Sequence, residues 1–86
     1  MFTPELVDEN TGSYILIANH FVENDAALEL SIAYNLARIR FGSNQLPDHI
    51  NKCMLVYDLR GQKVELDTID KIESAFSHVY KLEIKQ

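Results

Sequence analysis

Residues 53–62 read CMLVYDLRGQ, and the reading of this stretch decides the fold. From Cys53 to Leu59 the side chains are apolar except for Asp58, and Asp58, Arg60 and Gly61 then fall within four positions. A short apolar run closed by a charged, glycine-containing stop is the pattern of a strand buried on both faces. Asp58 to Gln62 is then its polar exit. Such a strand reads as central in a sheet, so the segments on either side of it set the topology.

Upstream, VENDAALELSIAYNLARIRFG (residues 22–42) is the clearest helix. Asn24 or Asp25 is placed to cap its start, Ala26 to Ala37 are mostly good helix formers, and Gly42 fits the position just past its end. SNQLPDHIN (43–51) reads as a loop around Pro47. Earlier still, SYILIANHF (13–21) is an apolar, β-rich run. FTPELV (2–7) alternates weakly, and its Pro4 confines it to a sheet edge. The DENTG cluster (8–12) between them is turn chemistry, so the two runs form a hairpin. Downstream, Asp67-Thr68-Ile69-Asp70 reads as a capping box. It opens a second helix to about Ser77, with Ile69, Ile72 and Phe76 on one face. In HVYKLEIKQ (78–86), Tyr80, Leu82 and Ile84 alternate with Lys81, Glu83 and Lys85, as in a strand with one wet face.

The order is β-β-α-β-α-β. Right-handed crossovers make the strands that flank each helix parallel. The expectation is a single domain over residues 1–86. Its class is α/β, bordering on α+β: a small two-layer sandwich of a mixed sheet of about four strands and two helices.

Composition narrows the partners. The chain has 13 acidic and 8 basic residues, a formal charge of −5. A phosphate backbone selects basic surfaces, so nucleic acid is not expected as a direct ligand, although Arg38, Arg40 and Lys52 could gather locally. A chain of 86 residues buries only roughly 60–65% of its unfolded surface, so association would add to a modest core. Cys53 is the one cysteine. Within an apolar run it reads as a small buried hydrophobe rather than a nucleophile. A secreted domain of this size usually carries several disulfides, so the expected location is intracellular, in the cytoplasm. MFTPELVDEN lacks the basic start and apolar core of a signal peptide, and no apolar segment approaches membrane-spanning length.

Two surfaces are more apolar than a two-layer sandwich requires. In the long helix, Leu28, Ile32, Leu36 and Ile39 form one stripe, and Leu30, Tyr34, Ala37 and Phe41 form a second, roughly opposite. A helix lying on a sheet buries one stripe. The aliphatic stripe is expected to face the sheet, leaving Leu30, Tyr34 and Phe41, with Arg38 beside them, as partner-binding residues. The second surplus lies in YILI and CMLV, apolar on both sides, where a second copy or another protein would provide cover.

Chemistry-bearing residues collect beyond the carboxyl ends of the parallel strands, where α/β sheets bind ligands. Asn19, His20, Glu23 and Asn24 follow one strand, and Asp58, Arg60 and Gln62 follow the next. An imidazole at His20 beside an Asp58–Arg60 pair would combine acid–base chemistry with an anion clamp. His49 and His78 are isolated, with no second ligand at metal spacing, so no metal is expected. With no glycine-rich phosphate loop and no GxSxG elbow in the chain, no cofactor is expected either. VYDLRGQ followed by a short helix and a final strand resembles the last third of some bacterial contact-dependent toxin nuclease domains. The resemblance spans about 30 of the 86 positions, and such toxins usually have a basic surface, which this acidic chain lacks.

Acidic charge, small size and surplus apolar surface point to a protein-binding module that occupies a partner surface. Its most concrete form is an inhibitor or immunity-type protein of phage or mobile-element origin, with a homodimer expected. Its partner could be a nuclease or nucleic-acid-binding protein, towards whose basic groove an acidic chain is steered. The alternatives are a small nuclease toxin-like enzyme using His20, Asp58 and Arg60, and an auxiliary subunit of a larger assembly.

Overall fold

A computed structural model of the chain describes residues 1–8, 10, 13–41, 53–79 and 81–86. The expected DENTG turn lies partly, and the Gly42 stop, the loop around Pro47, His49, Lys52 and Tyr80 entirely, outside the described residues. The elements are β1 (Thr3–Asp8), β2 (Ser13–Ala18), a 3-10 turn (Glu23–Asp25), α1 (Ala26–Phe41), β3 (Met54–Asp58), α2 (Leu66–Ala75) and β4 (Lys81–Lys85). The strands form one mixed sheet in the order β1-β2-β3-β4, with the apolar YILI and CMLV runs in its two central strands. β1 pairs antiparallel with β2, whereas β2, β3 and β4 run parallel.

β1 holds Pro4 opposite Leu16 at the sheet edge, where a missing N–H is tolerated. The register shifts between Leu6 and Asp8, and Val7, left out of the pairing, is 62% exposed, as the extra residue of a bulge is. At the other edge β4 carries Lys81 and Lys85, charges that discourage further strand pairing.

The two crossovers advance in the same direction across the sheet, so both helices pack on one face. The core records this alternation. Tyr14, Leu16, Ala18, Leu55 and Tyr57 from the strands cluster with Leu30, Ala33 and Ala37 of α1 and with Ile72 and Phe76 at α2. Tyr57 is its centre. Its ring meets Phe2 edge-on at 5.2 Å, Phe21 at 5.9 Å and Phe76 at 5.7 Å, contacts that add to the area each ring buries.

α2 begins at Leu66, earlier than the expected capping box, with Glu65 as its N-cap and no side-chain cap bond. The carbonyl of Glu65 accepts from the N–H groups of Thr68 and Ile69, and Lys71 pairs with Glu23 at 3.5 Å and with Asp67 at 3.8 Å. Ile72 and Phe76 face inward and Ile69 is half-buried, as the helical spacing predicts.

α1 is oriented opposite to the sequence expectation. Ala26, Leu30, Ala33 and Ala37 are its buried residues, and Tyr34 and Phe41 pack half-buried against the core. The aliphatic stripe points away: Leu28 is 61% exposed, Ile32 38%, Leu36 40% and Ile39 81%. Volume explains the choice. The sheet presents Tyr14, Tyr57, Leu16 and Leu55, and a helix face built on three alanines can approach such bulk closely, whereas a Leu/Ile face cannot. Phe41 closes the end of that contact, its ring 6.1 Å from Tyr14. Arg40 Nη1 donates to the Pro4 carbonyl at 3.1 Å, tying the helix end to β1.

Candidate functional site

The exit of β3 answers the question posed by DLRGQ. Asp58 accepts from the Arg60 guanidinium twice, from Nε to Oδ1 at 2.9 Å and from Nη2 to Oδ2 at 2.7 Å, a bidentate pair, and from the Arg60 backbone N–H at 3.3 Å. The Gln62 N–H donates to the Leu59 carbonyl at 3.1 Å, and Gly61 sits at φ +82°. This is a type II turn, whose third position favours glycine. The Leu59 N–H extends the ladder to Lys85, and Gln62 Nε2 donates to the Asn19 carbonyl at 2.7 Å, fastening the turn to the end of β2. The Arg60 guanidinium holds the Asp58 carboxyl down at about 2, and the same contact raises Arg60. Each group's best hydrogen bonds are spent on the other.

A shallow groove of about 620 Å³ lies at this end of the sheet, with Asn19, Asp58, Arg60 and Gln62 among its walls. His20 lines a separate groove on the other side of Gln62, with Phe21, Lys63 and Glu65. The three residues of the acid–base expectation therefore divide between two shallow grooves, and the carboxylate–guanidinium pair is closed on itself. Among the described residues no three His, Cys, Asp or Glu side chains group as metal ligands. Cys53 is fully buried, and burial pushes its thiol up to about 11, well away from a nucleophile's range.

The partner-binding residues fall differently. Leu30 is 5% exposed and belongs to the core, Tyr34 and Phe41 line its margins, and Arg38 is exposed on the flank of α1. The surplus stripe is instead Leu28, Ile32, Leu36 and Ile39. Beside it runs an apolar groove of about 420 Å³ walled by Met1, Phe2, Pro4, Leu36, Ile39 and Arg40. The signal that finds the inward face is the spacing of Ala26, Leu30, Ala33, Ala37 and Phe41, a continuous helical seam of small residues ending in an aromatic.

Among the described residues, no helix lies on the sheet's other face. Ile15, Ile17 and Met54 are half-buried there, and Val56 is only 3% exposed. Glu5, Lys81, Glu83 and Lys85 stand opposite or beside them in register.

No family model, no curated protein and no solved structure matches this chain. Among the described residues, no helix is long and apolar enough to cross a membrane. Fold and site together define a two-layer α/β sandwich with one helical face uncovered by the described residues.

Proposed function

We propose that this chain is a small acidic protein-binding module that acts by occupying a partner surface, with an inhibitor or immunity-type protein as its most concrete form. One observation carries the reading: the stripe Leu28, Ile32, Leu36 and Ile39 stands outside a core already completed by the opposite face of α1. Contiguous apolar surface on a small domain marks an interaction site. The mutual closure of Asp58 and Arg60 and the separate position of His20 weigh against the enzymatic alternative.

The test pairs association with stability. The tagged chain is isolated from its native cells, its stoichiometric companion (a second copy or another protein) is identified, and the measurement is repeated with Leu28→Ser/Ile39→Ser. The expected result is selective loss of the companion at an unchanged melting temperature. Retained association, or a melting temperature lowered as by a core cavity, overturns the reading.

A further inference from the structure

Resting on that reading, we infer that the partner of the α1 stripe is a second copy of this chain, docked antiparallel about a two-fold axis near position 34. Three features favour a second copy over an unrelated protein.

The first is the symmetry of the stripe. Ile32 and Leu36 are equidistant from position 34, and Leu28 and Ile39 lie near its two ends. A two-fold axis there sets Ile32 against the partner's Leu36 and Leu28 beside the partner's Ile39. This is an isologous contact in which one surface satisfies itself.

The second is the groove beside the stripe, between α1 and the start of β1. The same axis carries the partner's Leu28 towards it, so each copy supplies both the protruding side chain and its receptacle.

The third is charge. α1 is preceded by Glu23 and Asp25 and carries Glu29 in its first turn, whereas Arg38 and Arg40 occupy its last. Antiparallel docking brings Arg40 to the partner's Asp25 and close to Glu29, whose Oε1 already lies 3.7 Å from its own chain's N-terminal amine, while parallel docking would set like against like. Glu29 and Arg40 flank the stripe on the same side, as this pairing requires at 100° per residue. Arg40 uses Nη1 on Pro4 and keeps further N–H donors for this contact.

The area is adequate. At a reference of about 200 Å² per Leu or Ile residue, the exposed fractions of the stripe and of Met1 leave on the order of 500 Å² of apolar surface. A polar rim brings this to the ~800 Å² per copy of a specific interface.

Sedimentation over a hundredfold concentration range tests the inference. The expected species is a dimer of the 9.9 kDa chain. Ile32→Glu is expected to weaken it at least ~100-fold, because the change counts once in each copy. Ile39→Glu, at a position already 81% exposed, repeats the test without disturbing the fold. Orientation is read by cross-linking. Asn35→Cys lies beside its own counterpart across the axis and is expected to form a disulfide-linked dimer, with buried Cys53 inert. Asn24→Cys, about 30 Å from its counterpart at 1.5 Å per residue, is expected to stay unlinked. A strict monomer at every concentration, a dimer indifferent to both glutamates, or efficient linking through Asn24→Cys overturns the inference. The monomer result leaves the binding-module reading standing, because that reading is decided separately, by whether Leu28→Ser/Ile39→Ser loses its companion at an unchanged melting temperature.

Discussion

Leu30→Ala and Leu36→Ala, six residues apart on the same helix, are expected to have opposite consequences. Leu30 is 5% exposed and packed into the main cluster, so truncation removes buried methyl groups and leaves a hole beneath α1. Substitutions of this kind cost about 2–5 kcal/mol. A domain of 86 residues has a total stability of about 4–13 kcal/mol, so the loss is a large part of the whole. At about 4–8 °C per kcal/mol, the melting temperature is expected to fall by roughly 8–40 °C. Leu36 is 40% exposed, and among the described residues no element covers it. Its truncation opens no cavity, loses only part of a transfer term, and recovers a few tenths of a kcal/mol because alanine is the better helix former. The net change is expected to stay under about 1 kcal/mol. Urea and thermal melts followed by far-UV circular dichroism measure both, first at low micromolar concentration, where self-association is least. At high concentration the wild-type melting point is expected to rise through coupled dimerisation, and Leu36→Ala to lose that rise. If dilute Leu36→Ala is destabilised as much as Leu30→Ala, the stripe is covered within the chain and the argument for an interface fails.

Cys53 is fully buried with its thiol raised to about 11, so a thiol reagent is expected to label the native protein only at the rate of unfolding, and the urea-unfolded chain at once; fast native labelling contradicts this packing. Asp58 is held at about 2, below the ordinary carboxylate value of about 3.9, so its ion pair stabilises the fold above about pH 4, and that contribution is lost as the pH falls towards 2. Because the pair is exposed, the effect is small and screened by salt; Asp58→Asn is expected to flatten the acid limb of the stability profile, and an identical limb in the variant removes the pair from the account. Gly61→Ala meets no atom within 4 Å, but forces an L side chain into φ +82°, so a loss of about 1–2 kcal/mol in urea melts is expected from backbone strain alone; a neutral result would mean that the turn relaxes to another type.

The topology was legible because each element carried its own period. Pro4 marked β1 as an edge, the YILI and CMLV runs marked the two central strands, and Ile69, Ile72 and Phe76 gave the inward face of α2 at helical spacing. α1 was illegible in orientation, not in existence. Its apolar residues are spread around the helix, so neither face stands out by hydrophobicity. The expectation that the Leu/Ile stripe faces the sheet set Leu30, Tyr34 and Phe41 outside. The choice depends on what lies opposite, and only the assembled sheet, with two tyrosines and two leucines pointing at the helix, reveals that the alanine seam fits. The start of α2 was missed for a related reason: Asp67 resembles a cap, but the backbone carbonyl of Glu65 already receives the first amides. The His20, Asp58 and Arg60 expectation assumed that strand ends converge on a ligand, whereas the type II turn folds Arg60 back onto Asp58.

The surplus on α1 lies on the stripe opposite to the one anticipated, and it differs from the open sheet face in what association would gain. On the open sheet face, the apolar residues lie between charged edges, and Val56 is already 97% removed from solvent by its neighbours. A partner docking there would meet the Glu and Lys residues of β1 and β4, desolvating charges and ordering long chains at about 0.5–1.5 kcal/mol each. On α1 the described residues provide no such cover. Leu28 and Ile39 project into water over most of their surface, and the charges of the helix stand at its ends and margins, where they can pair across an interface without being buried in it. Desolvation therefore favours the helix over the sheet. The alanine seam that lets α1 lie close to the sheet is also what turns its bulkiest aliphatic residues outward, so the packing that completes the core creates the surface that needs a partner.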